Sequence, residues 1–113
     1  PNDSVVLCSF GDASFNHSTA QGAINAAQWI SYQHYPLPIV FICEDNGIGI
    51  SVSTPENWVK NNMIHRPDIY YIEVNGLDLD DVVRGGEEAA YYARPQRKPV
   101  FLHMRCVRLM GHA

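Results

Sequence analysis

Two polar side chains, Asp12 and Asn46, stand in loops that directly follow apolar runs of the sequence. A carboxylate and an amide oxygen are hard ligands of the kind that magnesium and calcium take, and the main-chain carbonyl of Ile48 would add a third such oxygen. Magnesium keeps few protein ligands and completes its octahedron with phosphate oxygens and water. These three oxygens therefore form a candidate magnesium set that would act together with a phosphate.

Each loop also has an ordinary structural explanation when it is taken alone. Residues 11–18 fit a strand-to-helix turn in which Asp12 caps its own backbone, and Asn46-Gly47 is a common turn pair because both residues tolerate positive φ. The amides that follow Asp12 approach a helix N-terminus, where partial positive charge favours phosphate. The two loops together are more specific for a phosphate and metal site than either one alone.

The elements that must position these loops are predicted from the apolar pattern. Four runs rich in β-branched or aromatic residues predict buried strands over 5–10, 39–43, 70–74 and 100–104. The first two lack polar alternation, which predicts cover on both faces of the sheet. The third alternates in part, which predicts a place near a sheet edge.

Helical segments are predicted between the strands, over 18–33, 55–62 and 79–93. Their predicted N-terminal caps are, in order, Ser18 or Thr19, Thr54 (with Pro55 at the first helical position), and Asp78. The residues predicted to face inward are Ala20, Ile24, Ala27 and Ile30 in the first segment and Val82, Val83, Ala89 and Ala90 in the third. This alternation predicts an α/β fold with a parallel sheet and helices on both faces. Ligands of such folds bind at the carboxyl ends of the strands, which points to the loops 11–18, 44–53 and 105–113.

Composition limits the possible functions. The 113 residues are 46% hydrophobic and 18% charged with a net charge of −4, which is typical of a globular domain and argues against a broad nucleic-acid surface. No apolar run approaches the roughly 20 residues of a membrane span. The three cysteines form no CxxC pair, which argues against a zinc ribbon or a disulfide scaffold and favours a reduced compartment. Because Pro1 opens the chain and the last strand-like run has no closing helix, we expect a fragment of a larger protein.

The residues of the two loops carry a family resemblance. Gly11-Asp12-Ala13 resembles the GDG that starts the thiamine-diphosphate motif, and Asp45-Asn46 resembles the NN that ends it. Segments 74–78 and 98–112 extend the similarity over nearly the whole chain. The chain resembles the alpha subunit of the thiamine-diphosphate-dependent dehydrogenase component of 2-oxoacid dehydrogenase complexes, pyruvate and branched-chain types included. Ala13 stands at the third position of the motif, where the family has glycine, and Asp45 stands for the family's first asparagine; residues 32–38 fit an insertion between the motifs.

The resemblance implies a thiamine-diphosphate-binding fold, of which residues 1–113 would be the diphosphate and magnesium half. Seven residues carry the implied site. The resemblance assigns magnesium, and through it the cofactor, to Asp12, Asn46 and the Ile48 carbonyl, the diphosphate to Ala13, Ser14 and Arg108, and proton transfer beside the thiazolium to His112. A planar guanidinium suits the phosphate role of Arg108.

The resemblance also implies the reaction and the partners. The parent enzyme would decarboxylate a 2-oxoacid with thiamine diphosphate and magnesium and pass the acyl group to a lipoyl-bearing acyltransferase. A beta subunit or a fused beta-like domain would hold the aminopyrimidine, in an oligomer that needs no nucleic acid or membrane. The expected compartment is the cytoplasm, or the mitochondrial matrix in a eukaryote, and the isolated fragment is expected to be inactive.

Two alternatives stay open at this point. Another thiamine-diphosphate enzyme, transketolase-like, would share the motif. A non-catalytic magnesium-binding α/β module, similar to a receiver domain, would need a cluster of acids at the strand ends, and Asp12 has no acidic neighbour in the sequence.

Overall fold

A computed structural model describes residues 2–112 of the chain. Its strands are β1 (Val6–Gly11), β2 (Ile39–Asp45), β3 (Ile48–Gly49), β4 (Val52–Ser53), β5 (Tyr70–Asn75) and β6 (Val100–Arg105). Its helices are α1 (Asp12–Phe15), α2 (Ser18–Tyr32), α3 (Trp58–Met63) and α4 (Leu79–Ala93). The four strands predicted from the sequence are confirmed, whereas α1 and the short strands β3 and β4 lie in segments predicted as loops.

The main sheet has the order β1-β2-β6-β5, and every neighbouring pair is parallel. Side chains alternate between its two faces. One face packs on α2 and α3 through a core that includes Ile24, Ala27, Phe41, Cys43, Val59, Met63 and Phe101. The other face packs on α4 through Val40, Ile72, Val74, Ala89, Ala93, Val100 and Leu102. The predicted α/β class, with helices on both faces of a parallel sheet, is confirmed.

The two edges of the sheet differ from each other in how well they were predicted. β5 lies at one edge, as its partial alternation indicated. β1 lies at the other edge, so the predicted cover on both of its faces is wrong: Val6 is 59% exposed and Leu7 68% exposed. Within residues 2–112, β1 pairs with β2 alone. Val6 and Leu7 are open to solvent in this chain, whereas Phe10 of the same strand packs against the core.

Helix α2 begins and ends close to the predicted bounds, but its cap differs. The Nδ1 atom of His17 accepts a hydrogen bond from the Thr19 amide at 3.2 Å, so His17 is the N-cap in place of Ser18 or Thr19. An imidazole nitrogen serves here as the acceptor that a hydroxyl or carboxylate usually provides. The predicted apolar stripe is confirmed, with Ile24 and Ala27 at its buried centre.

Helix α4 spans the predicted residues. The Asp78 carboxylate accepts from the amides of Asp80 and Asp81 at 3.0 and 3.3 Å, which confirms the predicted cap. Val83 is 50% exposed, so its predicted inward position is wrong. Gly85 takes the buried place instead, since a Cβ there would lie 2.3 Å from Cγ1 of Val74 in the sheet. A glycine inside the helix thus lets α4 approach β5 closely.

Helix α3 begins later than predicted. Its N-cap is Asn57, in the left-handed conformation with φ 58°, and the helix runs from Trp58 to Met63. The cap predicted at Thr54 is therefore wrong, and the Thr54 hydroxyl instead donates to the Asp12 carboxylate. Among the described residues, no helix is both long and apolar enough to cross a membrane.

Candidate functional site

The end of β1 brings Asp12 into the interior at the carboxyl edge of the sheet. Gly11 is extended and caps the single-turn helix α1, which begins at Asp12. Phe15 is fully buried and stacks on Phe10 at 6.5 Å between ring centroids, so the turn is fixed in the core. Asp12 is only 3% exposed as a result.

The Asp12 carboxylate is held by neutral donors. Its Oδ2 atom accepts a hydrogen bond from the Thr54 hydroxyl. Its Oδ1 atom accepts one from the backbone N–H of Asn46 at 3.4 Å. In the described part of the chain, no lysine, arginine or histidine forms an ion pair with it. A buried charge is costly unless it is paired or coordinates a metal. The site therefore favours a cation beside Asp12.

The second loop folds back on itself through its own side chains. Asp45 Oδ1 accepts from the Gly47 amide at 3.1 Å, and Asn46 Oδ1 accepts from the Ile48 amide at 2.9 Å. Gly47 has φ 74°, a left-handed conformation that glycine adopts without strain. The turn explanation of this loop is correct for its backbone, and it places the backbone N–H of Asn46 against the Asp12 carboxylate.

A hairpin continues the loop and returns it to Asp12. Strands β3 and β4 pair antiparallel, with Ile48 opposite Ser53, and the Thr54 amide donates to the Gly47 carbonyl at 3.0 Å. This return is what lets the Thr54 hydroxyl reach a carboxylate 42 positions earlier in the sequence. Thr54 is a site residue that the sequence reasoning missed, because threonine before proline also fits a helix cap.

The first two loops touch at Ala13 and Gly49. A Cβ on Gly49 would lie 2.6 Å from the Cβ of Ala13, closer than two carbon atoms can approach. Gly49 is thus required because Ala13, and not glycine, stands at the third position of the GDG motif.

The third loop is tied to the second. The Cys106 amide donates to the Asp45 carbonyl at 2.8 Å, directly after β6. Further along, the Nη1 atom of Arg108 donates to the Ile50 carbonyl at 2.7 Å. Arg108 is therefore held at the tip of the hairpin that carries Ile48.

A cleft of about 760 Å³ opens where the three loops meet. Six of the seven residues predicted for the site line it: Asp12, Ala13, Ser14, Asn46, Ile48 and His112. The seventh, Arg108, does not line the cleft; its guanidinium donates to the carbonyl of Ile50, which does. A second cavity of about 360 Å³ lies on the other side of Asp12, against Thr54 and Trp58.

The cysteines near this edge are structural. Burial, reinforced by the carboxylates of Asp45 and Asp12, raises the pKa of the Cys43 thiol. Burial and the charge of Glu44 likewise raise the pKa of Cys106. Thiols with raised pKa values stay neutral and are poor nucleophiles and poor metal ligands.

The oxygen atoms at the cleft fit a magnesium ion that shares a phosphate. A carboxylate, an amide oxygen and a main-chain carbonyl are all ligands that magnesium accepts. Within residues 2–112, no group of three or more His, Cys, Asp or Glu side chains could hold a metal. The buried carboxylate of Asp12, whose hydrogen-bond donors within residues 2–112 are neutral, is the specific observation for the fit.

Comparisons with known proteins relate the chain to one family. The family model described as "Dehydrogenase E1 component" matches residues 1–113. The testis-specific, mitochondrial form of the pyruvate dehydrogenase E1 component subunit alpha from Homo sapiens is 31% identical over 119 residues, which covers 99% of this chain and 28% of that protein. The corresponding alpha subunit of Dictyostelium discoideum is 29% identical, covering 96% of this chain and 28% of that protein.

A bacterial relative and a solved structure extend the comparison. The pyruvate dehydrogenase E1 component subunit alpha of Rhizobium meliloti is 28% identical, covering 99% of this chain and 32% of that protein. The chain thus spans less than a third of the length of these relatives. Transketolase from Leishmania mexicana superposes with a TM-score of 0.66 at 19% identity, covering 89% of this chain and 15% of that one. At that identity the likeness shows a shared fold.

Proposed function

The chain belongs to the dehydrogenase E1 component family, and on this premise we propose that it is the part of a thiamine-diphosphate-dependent 2-oxoacid dehydrogenase that holds the diphosphate and magnesium. In this proposal residues 1–113 form one half of a cofactor-binding domain within a longer parent protein. The buried Asp12 carboxylate, which lines the cleft and whose hydrogen-bond donors within residues 2–112 are neutral, is the observation that supports it most directly.

The proposed roles follow from the chemistry of each group. Asp12, the Asn46 amide oxygen and the Ile48 carbonyl bind magnesium, and Asp12 supplies the negative charge of this set. The amides of Ala13 and Ser14 at the start of α1 donate to the diphosphate. The remaining charge of the diphosphate needs a cation from the protein, which is the role proposed for Arg108 at the rim of the cleft.

His112 has the proposed role nearest to the chemistry. It lines the cleft with Asp12 and Asn46, and an imidazole can hold or release a proton near neutral pH. When bound, thiamine diphosphate would supply a nucleophilic carbanion that attacks the 2-oxo carbon and a thiazolium ring that takes up the electron pair left by departing carbon dioxide. The protein contributes binding, orientation and electrostatics to such a cofactor.

The proposed reaction is decarboxylation of a 2-oxoacid followed by transfer of the acyl group to a lipoyl-bearing acyltransferase. Pyruvate is the first substrate to test, because the relatives are named as pyruvate dehydrogenase subunits, with branched-chain 2-oxoacids next. A beta subunit or a fused beta-like domain would bind the aminopyrimidine. The mitochondrial names of several relatives favour the matrix if the source is eukaryotic, and the cytoplasm is proposed otherwise.

The two alternatives are less well supported. The likeness to transketolase concerns the fold, at 19% identity, and does not favour transketolase chemistry. A receiver-like magnesium module would need a cluster of acids, and the described residues contain no group of three or more acids, histidines or cysteines that could hold a metal.

The test is calorimetric titration of the full-length protein with thiamine diphosphate, with and without magnesium. Asp12→Ala and the closer mimic Asp12→Asn should abolish the magnesium-dependent binding, because each removes the charged ligand. Glu87→Gln is the matched control, since it removes one exposed carboxylate from α4 on the other face of the sheet. Unchanged affinity in both Asp12 variants would remove Asp12 from the ligand set.

A second measurement concerns the isolated chain, which we propose is inactive and binds the cofactor weakly. Ligand at about 100 times its dissociation constant would stabilise the folded state by about 2.7 kcal/mol. That would raise the melting temperature of a domain of this size by roughly 10 °C or more. A melt with millimolar thiamine diphosphate and magnesium should move little, and a shift of that size would mean that the whole site is present in these residues.

A further inference from the structure

A fully buried histidine stands directly beneath the candidate site. His103, in β6, is 0% exposed and both of its ring nitrogens have partners. The Tyr71 hydroxyl, in β5, lies 2.7 Å from Nδ1, and the Asp45 carboxylate, at the end of β2, lies 2.7 Å from Nε2. Because β6 lies between β2 and β5, this network of hydrogen bonds joins three neighbouring strands and ends at the second loop.

A contribution to folding stability does not by itself explain this hydrogen-bond network. Buried polar groups lose their hydration, and a buried charged network often contributes no more than apolar residues of the same size. At the other end of the network, burial and the nearby charge of Glu73 raise the pKa of Tyr71 further above neutral, so its hydroxyl stays protonated. The network is therefore better explained by what it positions.

The group that it positions is Asp45. One carboxylate oxygen of Asp45 contacts His103 and the other accepts from the Gly47 amide, while its carbonyl accepts from Cys106. Asp45 is therefore engaged at both side-chain oxygens and at its backbone. The next residue is Asn46, whose amide oxygen belongs to the proposed magnesium set.

We propose that Tyr71 and His103 are positioning residues that hold the loop of Asn46 and Ile48 in its metal-binding geometry, through Asp45. Asp45 stands where the family that the chain resembles has an asparagine, and the buried imidazole gives this carboxylate its partner. The inference rests on the proposed function for the ligand role of Asn46. It assigns no metal contact to Asp45 itself.

The experiment compares the same substitution at two adjacent tyrosines in the full-length protein. Tyr71→Phe removes the hydroxyl at the far end of the network and keeps the ring, which stacks on Phe101. Tyr70→Phe is the matched control, because it also removes one hydroxyl that contacts a partner, Glu88 at 2.8 Å, in the same strand and outside the network. Tyr71→Phe should lose more thermal stability than Tyr70→Phe, because it leaves Nδ1 of the fully buried His103 without its partner.

The readout is the dissociation constant for thiamine diphosphate with magnesium. Loss of a residue that orients a metal ligand typically weakens binding by about 10–100-fold, and we expect this for Tyr71→Phe and for His103→Gln. Tyr70→Phe should bind as the wild type does. Asp45→Asn combined with His103→Gln, a neutral pair that can hydrogen-bond, should recover part of the affinity lost by His103→Gln alone.

Hydrogen exchange of the Gly47 and Ile48 amides in the cofactor-free protein is the independent readout. We expect faster exchange at both amides in Tyr71→Phe and not in Tyr70→Phe. If the wild type fails to bind the cofactor, the proposed function fails while the exchange data still test the positioning role. If Tyr71→Phe and Tyr70→Phe give the same affinity and the same exchange, the network is structural and the inference is overturned.

Discussion

Gly49 in β3 and Ala13 in α1 pack so closely that only one of them can carry a side chain. A Cβ on Gly49 would lie 2.6 Å from the Cβ of Ala13, and its next nearest contacts, on Thr54 and Val52, are 3.9 Å away. Two carbon atoms prefer about 3.5–4.0 Å. Gly49→Ala should therefore push the hairpin and the first turn of α1 apart by roughly 1 Å.

The magnitude follows from the chemistry of overpacking. Inserting a methyl group into a filled space costs about 1–3 kcal/mol, so Gly49→Ala should lower the free energy of unfolding by that amount. Ala13→Gly opens the space at a cost of about 0.5–1 kcal/mol, because glycine is less favourable than alanine in a helix. The double variant, Ala13→Gly with Gly49→Ala, keeps one methyl group at the contact and carries it on the other residue. We therefore expect it to be more stable than the sum of the two single effects, by an amount within the range of about 0.5–3 kcal/mol seen for residues in contact.

Urea denaturation of the four forms measures this coupling, and titration with thiamine diphosphate and magnesium in the full-length protein measures its effect on the site. Gly49→Ala should weaken binding, and Ala13→Gly with Gly49→Ala should restore it. Gly22→Ala is the control, since Gly22 is an exposed residue of α2 and a Cβ there would have no neighbour within 4 Å. It should stabilise the helix by up to about 1 kcal/mol. The reasoning is refuted if Gly49→Ala unfolds like the wild type, or if adding Ala13→Gly brings no recovery.

Three other predictions concern the scaffold. Ile50 is β-branched and has φ 56° at the exposed tip of the hairpin, so Ile50→Asn should raise the free energy of unfolding by about 1 kcal/mol in urea denaturation. Gly85→Ala should destabilise by about 1 kcal/mol, because its Cβ meets Val74 at 2.3 Å, whereas Gly86→Ala, with open space around it, should stabilise by about 1 kcal/mol; equal effects would contradict this packing. Partial burial by itself would raise the pKa of Glu73. Hydrogen bonds from Lys60 and Arg105 outweigh this effect and leave the pKa below its usual 4.5. The stability from Glu73 should therefore be present above pH 4.5 and be lost as the pH falls below it, and Glu73→Gln should reduce this acid dependence in denaturation curves from pH 7 to pH 3.

Periodicity was sufficient to predict the main elements of the fold. The bounds of α4 could be read directly because Asp78 is a strong cap and the following amides need an acceptor. β1 shows the limit of the same reasoning. Its apolar run says that the strand can be buried but not which element covers it, and the described chain leaves Val6 and Leu7 exposed.

The candidate site was predictable as a location and less so as a set of contacts. In a parallel sheet the carboxyl ends of all strands lie at one edge, so the loops after β1, β2 and β6 had to meet. The role of Thr54 could not be predicted, because its hydroxyl donates to a carboxylate 42 positions away in the sequence. Its local sequence fits a helix cap equally well. The hydrogen bonds of His103 could not be predicted either, because its partners Tyr71 and Asp45 come from two other strands.

The second loop is where the three parts of the site are joined. Three of its backbone carbonyls accept hydrogen bonds from other parts of the chain. The Asp45 carbonyl accepts from the Cys106 amide after β6, the Gly47 carbonyl from the Thr54 amide, and the Ile50 carbonyl from the Arg108 guanidinium. A loop without such contacts would lose about 1–2 kcal/mol of conformational entropy for each residue that a bound ion orders. Here the folded chain has already ordered that loop before any ion arrives. The backbone contacts on both sides of Asn46 thus reduce the entropic cost of binding, which is the physical reason to expect that substitutions in the neighbouring loops affect magnesium affinity without touching a ligand.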